Sequence, residues 1–150
     1  WLVKARAPLG QTTLMNSFAP ILIALPAATV FGLWYKSNNG RVKSGKKHGM
    51  VLSEKELRQP LGQRVTLLQF SSAFCSPCRA TKTLIKSVVE NMDDVVHVEM
   101  DAESNLDLVN KLAVKSTPTT IILNRRGQEV GRAVGAPTRE QVLSAISAVK

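Results

Sequence analysis

The sequence predicts an α/β fold, with a mixed central sheet flanked by helices and preceded by a single transmembrane helix. Three patterns in its 150 residues indicate this fold: an uncharged apolar run at residues 18–35, two strand-like runs that enclose a helical pattern, and a late glycine-containing turn between two more strands. A strand–helix–strand unit implies parallel strands joined by a right-handed crossover. A tight turn implies an antiparallel pair, so the sheet is expected to be mixed.

The charge of the chain is concentrated at its N-terminal end. Of the formal net charge of +9, residues 1–50 contribute seven basic residues and no acidic one, whereas residues 51–150 carry thirteen basic and eleven acidic residues. The larger part is therefore nearly neutral, and a nucleic-acid partner is not expected. The two cysteines of the chain are too few for a scaffold held together by several disulfides.

Residues 18–35 have the length and composition of a transmembrane helix. Eighteen uncharged residues span about 27 Å as a helix, close to the ~30 Å hydrocarbon core of a bilayer. Trp34 and Tyr35 end the run, as interfacial aromatic residues often do. A cleaved signal peptide is the alternative, because Lys4 and Arg6 precede the run. Apolar residues continue beyond any cleavage site, which favours the anchor.

These features divide the sequence into four parts. They are an N-terminal flank at 1–17 in which Met15 is a candidate true start, the transmembrane helix at 18–35, a basic linker at 36–50 and the folded domain at 51–150. Basic residues follow the apolar run in excess. The positive-inside rule therefore predicts a single-pass protein of the cell membrane with its domain on the cytoplasmic side. An extracytoplasmic domain is the alternative.

The folded domain begins with a short helix and a buried strand. Ser53 caps a helix at 53–59, and Glu56 stands at the capping-box position. Residues 65–70 form an apolar run suited to a buried strand. The helix that follows the cysteines has apolar residues at helical spacing, namely Ala80, Leu84, Ile85, Val88 and Val89.

The second half of the domain contains three strands and two helices. The strand at 95–100 alternates apolar and polar side chains. Gly127 supplies the permissive backbone of a turn between two further strands, and Thr138 caps an amphipathic final helix. The predicted elements are a strand at 95–100, a helix at 106–112, strands at 119–123 and 129–134, and a helix at 138–149.

Cys75 and Cys78 lie between the first strand and the helix that follows it. Two thiols three positions apart on a first helical turn can form a disulfide without unfolding anything. Cys75 meets unpaired backbone amides and the positive end of the helix dipole, and Arg79 adds a nearby charge. These groups favour the thiolate that attacks disulfides. Cys75 is therefore the predicted catalytic nucleophile and Cys78 the resolving thiol.

Two other uses of the cysteine pair have less support in the sequence. A zinc site needs four ligands, and besides the cysteines the chain offers only His48 in the linker and His97 in a strand. A structural disulfide across two residues closes a very small loop and stabilises little. No metal is therefore expected.

Three segments of the domain resemble the thioredoxin family. They are Phe-Cys-Ser-Pro-Cys at 74–78, Ser-Thr-Pro-Thr at 116–119 and Val-Gly-Ala at 134–136, and the resemblance extends from about residue 53 to the end. It implies a thioredoxin-like fold with a cis bond before Pro118, a substrate groove beside the cysteines and a close-contact glycine. The substrate-binding residues implied in this way are Phe74, Ser76, Pro77, Thr117, Pro118 and Gly135.

The sequence departs from the family around the cysteines. Phe74 replaces the usual Trp, Ser76 the usual Gly, and Thr83 the proline that kinks the helix. Gln69 replaces the buried Asp that accepts a proton from the resolving cysteine, which a neutral amide cannot do. His97 falls where the family often has Lys, and it is a substitute proton acceptor if it points inward, or a solvated strand residue if it does not. Gln69 and His97 are thus the candidate proton-transfer residues.

The resemblance implies a thiol–disulfide oxidoreductase that reduces protein disulfides by exchange with Cys75 and Cys78. It implies no cofactor beyond this redox-active disulfide. The expected partners are disulfide-containing proteins, a separate electron-donating reductase and, through residues 18–35, a membrane. Two alternatives remain: an extracytoplasmic oxidase, isomerase or apocytochrome thiol reductase, and a redox-inactive adaptor that uses the fold only for binding.

Overall fold

The computed structural model describes residues 12–38, 42–44 and 51–149. The chain divides into two units after Asn38. The first unit contains helix α1 (Thr12–Asn38), which extends beyond the uncharged run at 18–35 in both directions and includes polar residues at both ends. In the described part of the chain, no helix combines the length and the apolar character needed to cross a membrane. The structure therefore does not support the predicted transmembrane helix.

The second unit contains a five-stranded mixed sheet with helices on its faces. The strand order is β1-β5-β4-β2-β3; β2 and β3 are parallel, and the other neighbours are antiparallel. The predicted mixed sheet is confirmed. Its elements are β1 (Val42–Ser44), α2 (Glu54–Leu57), β2 (Val65–Ser71), α3 (Ser76–Val89), β3 (Val95–Asp101), α4 (Leu106–Lys111), β4 (Thr119–Asn124), β5 (Glu129–Val134) and α5 (Arg139–Ser147).

Strand β1 was not predicted, because it lies in the segment 36–50 that the sequence indicates as a linker. It pairs with β5, with Val42 opposite Ala133 and Ser44 opposite Gly131. Three residues are too few to show an alternation of apolar and polar side chains. The strand forms where the edge of β5 offers unpaired backbone groups, which local sequence does not reveal.

The start of α2 follows the predicted capping box. The backbone N–H of Ser53 donates to Glu56 Oε2 over 2.9 Å. The helix ends two residues before the predicted limit of 59, because Arg58 adopts a left-handed conformation with φ of 54°. That conformation terminates a helix in the same way as the glycine that more often occupies this place.

The two faces of the sheet bury separate apolar clusters. Leu68 and Phe70 of β2 belong to the cluster that also contains Leu52 and Leu57. Val65 and Leu67 belong to the other cluster, which includes residues of α3 and α5. Successive side chains of a strand point to opposite faces. Gln69, two residues after Leu67, therefore lies on the face that α3 covers, directly below the cysteine segment.

Candidate active site

The cysteine pair lies at the N-terminus of α3. Cys75 is the N-cap residue of the helix, and its Sγ accepts a hydrogen bond from the backbone N–H of Cys78 over 3.1 Å. The two residues form a disulfide, with their Cα atoms 5.2 Å apart. Cys75 is half-buried, whereas Cys78 is only 2% exposed. Of the two sulfur atoms, that of Cys75 is therefore the one that an external molecule can approach.

Two other segments meet the cysteine loop. The Thr117–Pro118 peptide bond is cis, as the resemblance implies. The hydroxyl of Thr117 lies 3.2 Å from the hydroxyl of Ser72, which belongs to the loop between β2 and α3. The carbonyl of Pro118 accepts a hydrogen bond of 2.8 Å from the N–H of Gly135, whose φ is 88°. A positive φ favours glycine, which accounts for the residue type at this contact.

The remaining predicted substrate-binding residues form an exposed rim. Phe74 is 98% exposed, and Ser76 and Pro77 are also exposed. The guanidinium of Arg79 donates to Ser76 Oγ over 3.1 Å, so the charge of Arg79 is held at the start of α3. A fully exposed phenyl ring next to a half-buried cysteine offers apolar surface to a bound molecule.

Gln69 lies below Cys78 and is fully buried. Its Nε2 donates two hydrogen bonds of 3.0 Å, one to the carbonyl oxygen of Cys78 and one to Ser71 Oγ. Its Oε1 lies 3.1 Å from Nε2 of His97. An amide oxygen only accepts, so the Nε2 of His97 carries the proton and donates it. His97 therefore points inward, which decides between the two orientations that the sequence allowed.

Three residues of this network were missed in the sequence. Ser71 Oγ donates to Glu99 Oε1 over 3.1 Å, and Glu99 Oε2 forms an ion pair with Lys82. Glu99 is the register partner of Gln69 on the neighbouring parallel strand. Lys82 stands one helical turn after Cys78 in α3. The alternation of apolar and polar residues in β3 places Glu99 on the polar face of the strand. Because the sequence does not show that α3 covers this face, the pattern indicated a residue exposed to solvent.

The environment sets the charges of His97 and Glu99. Burial lowers the pKa of His97 to about 4, the charge of Glu99 opposes this shift, and the charges of Lys86 and Lys82 add to it. Burial raises the pKa of Glu99, but the hydrogen bonds from Lys82 and Ser71 outweigh it, so that the pKa lies below its ordinary value. At neutral pH, His97 is therefore neutral and Glu99 is an anion.

The low pKa of His97 predicts that acid destabilises the fold. Its pKa of about 4 in the folded chain lies below the ordinary 6.5, so between these values the unfolded chain binds more protons. The contribution of neutral His97 to the free energy of unfolding is complete above pH 6.5 and is lost as the pH falls towards 4. Because the imidazole is partly solvated, we expect a loss on the order of 2 kcal/mol in the free energy of unfolding.

Urea unfolding of the oxidised chain at several pH values measures this loss. Other carboxylates also titrate in this range, so the relevant quantity is the difference from His97→Gln. Glutamine can donate the same hydrogen bond to Gln69 but does not titrate. Equal pH profiles for the two proteins would show that His97 does not contribute.

No metal centre is found in the part of the chain that the structure describes. Within residues 12–38, 42–44 and 51–149, no three residues of His, Cys, Asp or Glu are grouped so that they could hold a metal ion. His48, which the zinc alternative required, lies outside the described residues. The expected absence of a cofactor stays a prediction.

Comparison with known proteins places this site in a family. The thioredoxin family model matches residues 49–148. A thioredoxin from Pongo abelii is 31% identical over 75 residues, which are 50% of this chain and 71% of that protein. Thioredoxin F from spinach chloroplast (short form) has a TM-score of 0.52 at 28% identity and covers 58% of this chain and 77% of its own. Thioredoxin from Fasciola hepatica, 23% identical, shares the fold with a TM-score of 0.54 over 65% of this chain and 88% of its own.

The match covers strands β2 to β5, the cysteine pair and the segment around Pro118. Relatives of this kind, together with a half-buried and a buried cysteine at a helix N-terminus, identify a thiol–disulfide oxidoreductase. The chain belongs to the thioredoxin family.

Proposed function

We propose that the chain reduces disulfide bonds of other proteins, with Cys75 as the nucleophile and Cys78 as the resolving thiol. The observation that carries this proposal is the difference in exposure between the two sulfur-bearing residues at the start of α3. Cys75 is half-buried at the N-cap, where backbone donors stabilise a negative sulfur. Cys78 is only 2% exposed, so a substrate cannot approach it directly, whereas Cys75 lies within its reach.

The proposed reaction has two exchange steps. The thiolate of Cys75 attacks one sulfur of a substrate disulfide, and the other sulfur leaves as a thiolate. This thiolate takes the proton of Cys78, and the thiolate of Cys78 attacks the sulfur of Cys75. The mixed disulfide breaks, and the second substrate sulfur leaves as a thiolate that takes a proton from solvent. Two electrons pass to the substrate, and the Cys75–Cys78 disulfide remains.

The segments around the cysteines support a protein substrate. Thr117 and Pro118 adjoin the cysteine loop through the contact with Ser72, and Phe74 adds exposed apolar surface. An extended peptide laid along Thr117 would bring its disulfide to Cys75. A separate reductase must return the electrons, because the disulfide itself is the only redox group that the proposal uses.

The reduction potential of the Cys75–Cys78 couple tests the direction of the reaction. Equilibration with glutathione mixtures, followed by alkylation and mass measurement, gives this potential. We expect a value near about −270 mV, typical of a reductase; a value above about −180 mV would identify an oxidase or isomerase instead. If no reversible disulfide forms, the protein is a redox-inactive adaptor and the proposal is wrong.

The cellular location of this activity stays a prediction from the sequence. The apolar run at 18–35 and the basic residues that follow it indicate a cell membrane with the domain on the cytoplasmic side. An extracytoplasmic position would suit the oxidase, isomerase or apocytochrome reductase alternatives. Membrane fractionation combined with protease protection of the domain distinguishes these positions.

A further inference from the structure

The resolving cysteine needs a restraint that does not depend on the disulfide. In the oxidised chain the bond to Cys75 holds Cys78 in place. In the mixed disulfide of the proposed reaction, Cys75 is bonded to the substrate and Cys78 is free. The remaining restraint from below is the hydrogen bond from Gln69 Nε2 to the carbonyl oxygen of Cys78, at 3.0 Å.

The side-chain amide of Gln69 is held in one orientation, because its N–H groups and its oxygen each have a partner. Both N–H groups of its amide are used, one by the Cys78 carbonyl and the other by Ser71 Oγ. Ser71 accepts this bond and so turns its own proton to Glu99 Oε1, 3.1 Å away. His97 occupies the amide oxygen of Gln69 and prevents the amide from reversing. The carboxylate of Glu99 thus fixes the orientation of every donor up to Cys78.

Glu99 also reaches the same helix by a second route. Its other oxygen, Oε2, forms an ion pair with the ammonium group of Lys82, which lies one turn after Cys78. The side chain of Glu99 is 30% exposed and that of Lys82 is 40% exposed, so the pair is at the edge of the network. One carboxylate therefore holds the first turns of α3 at two points, through the buried amide and through Lys82.

We infer that Glu99 is a positioning residue for Cys78, which it holds in place for attack on Cys75 through Ser71 and Gln69 and through Lys82. The inference rests on the proposed two-step function. Its consequence is specific to one step. Attack by Cys75 on the substrate uses the Sγ atom at the N-cap, which contacts this network only through the backbone N–H of Cys78, so this step depends much less on Glu99. Attack by Cys78 on the mixed disulfide requires the first turn of α3 to stay in place, and it slows when Glu99 is removed.

The two steps can be separated with dithiobis(nitrobenzoate) as the probe. In the reduced full-length chain, attack by Cys75 releases one coloured nitrothiobenzoate, at a rate proportional to the probe concentration. Attack by Cys78 releases the second, at a rate independent of it. We expect Glu99→Ala to slow the second release about fivefold, which corresponds to the typical net contribution of one hydrogen bond. The first release should stay within about twofold, since it depends on Cys75.

Three further variants separate positioning from a general loss of structure or charge. Glu103→Ala removes an exposed carboxylate just after β3 and serves as the matched control, with both releases unchanged. Glu99→Gln keeps an oxygen for Ser71 and should recover part of the lost rate. Ser71→Ala should slow the second release. In combination with Glu99→Ala, it should slow that release by less than the product of the single effects, because the two residues act along one path.

The outcomes distinguish this inference from the proposed function. Release of fewer than two equivalents by the unmodified chain, or a second release that persists in Cys78→Ser, would contradict the two-step function itself. Two normal phases in the unmodified chain, with Glu99→Ala indistinguishable from Glu103→Ala, would overturn the positioning role alone. Equal slowing of both phases in Glu99→Ala would also overturn it, because that result indicates general loosening of α3.

Discussion

Replacement of Cys75 by serine is expected to abolish disulfide reduction, with a fall in rate of at least about a thousandfold, because a serine hydroxyl is not ionised near neutral pH and forms no disulfide. Cys75 is the half-buried sulfur at the N-cap of α3, and no other cysteine is exposed in its place, since the chain has only two. Reduction of insulin disulfides by the chain in the presence of a dithiol measures the loss.

The matched variant is Cys78→Ser, which should fail at the other step. It retains the nucleophile, attacks the substrate and stops there, so that a mixed disulfide accumulates and is visible as an added mass on the chain. Cys75→Ser should form no such adduct in reaction with the same substrate. Adducts on Cys78 in the Cys75→Ser protein, at a rate near that of the unmodified chain, would mean that the roles are reversed.

The cysteine site was predictable because its signals are local in sequence. Cys75, Cys78 and the helix N-terminus at which they lie fall within five residues, and their relative positions follow from helix structure alone. The cis bond before Pro118 came from the resemblance of a short motif. The meeting of this motif with the cysteine loop through Thr117 and Ser72 depends on the sheet order, which the sequence indicated only in part.

The network below Cys78 was predictable only in its starting residues. The alternation of β3 correctly places His97 and Glu99 on the opposite face of the strand from Val98. The alternation does not show, however, whether that polar face is exposed to solvent or covered by a helix. The register of β3 against β2 places Glu99 beside Gln69, and such pairings are set by packing across the sheet. Strand β1 was missed for a related reason, since its partner lies about ninety residues away.

Substitution of Gly127 by alanine is expected to lower the free energy of unfolding by about 3 kcal/mol, through backbone strain and a steric clash together. Gly127 has a φ of 72° in the turn between β4 and β5. A Cβ atom placed there would lie 2.0 Å from the carbonyl oxygen of Leu52. That oxygen belongs to the backbone and cannot rotate away. The N–H of Leu52 also donates to the carbonyl of Gly127 over 2.9 Å, so the two segments are held together.

The clash would act on the core as well as on the turn. Leu52 is 1% exposed and packs in the same apolar cluster as Leu57 and Phe70, so displacing its backbone opens that cluster. Urea unfolding of the oxidised chain measures the effect. Arg126→Ala is the matched control: it changes an exposed residue of the same turn and should alter stability by less than about 0.5 kcal/mol. A loss in Gly127→Ala as small as that in Arg126→Ala would contradict the prediction. It would show that the turn tolerates a Cβ at residue 127 and that the backbone of Leu52 moves aside without loss of stability.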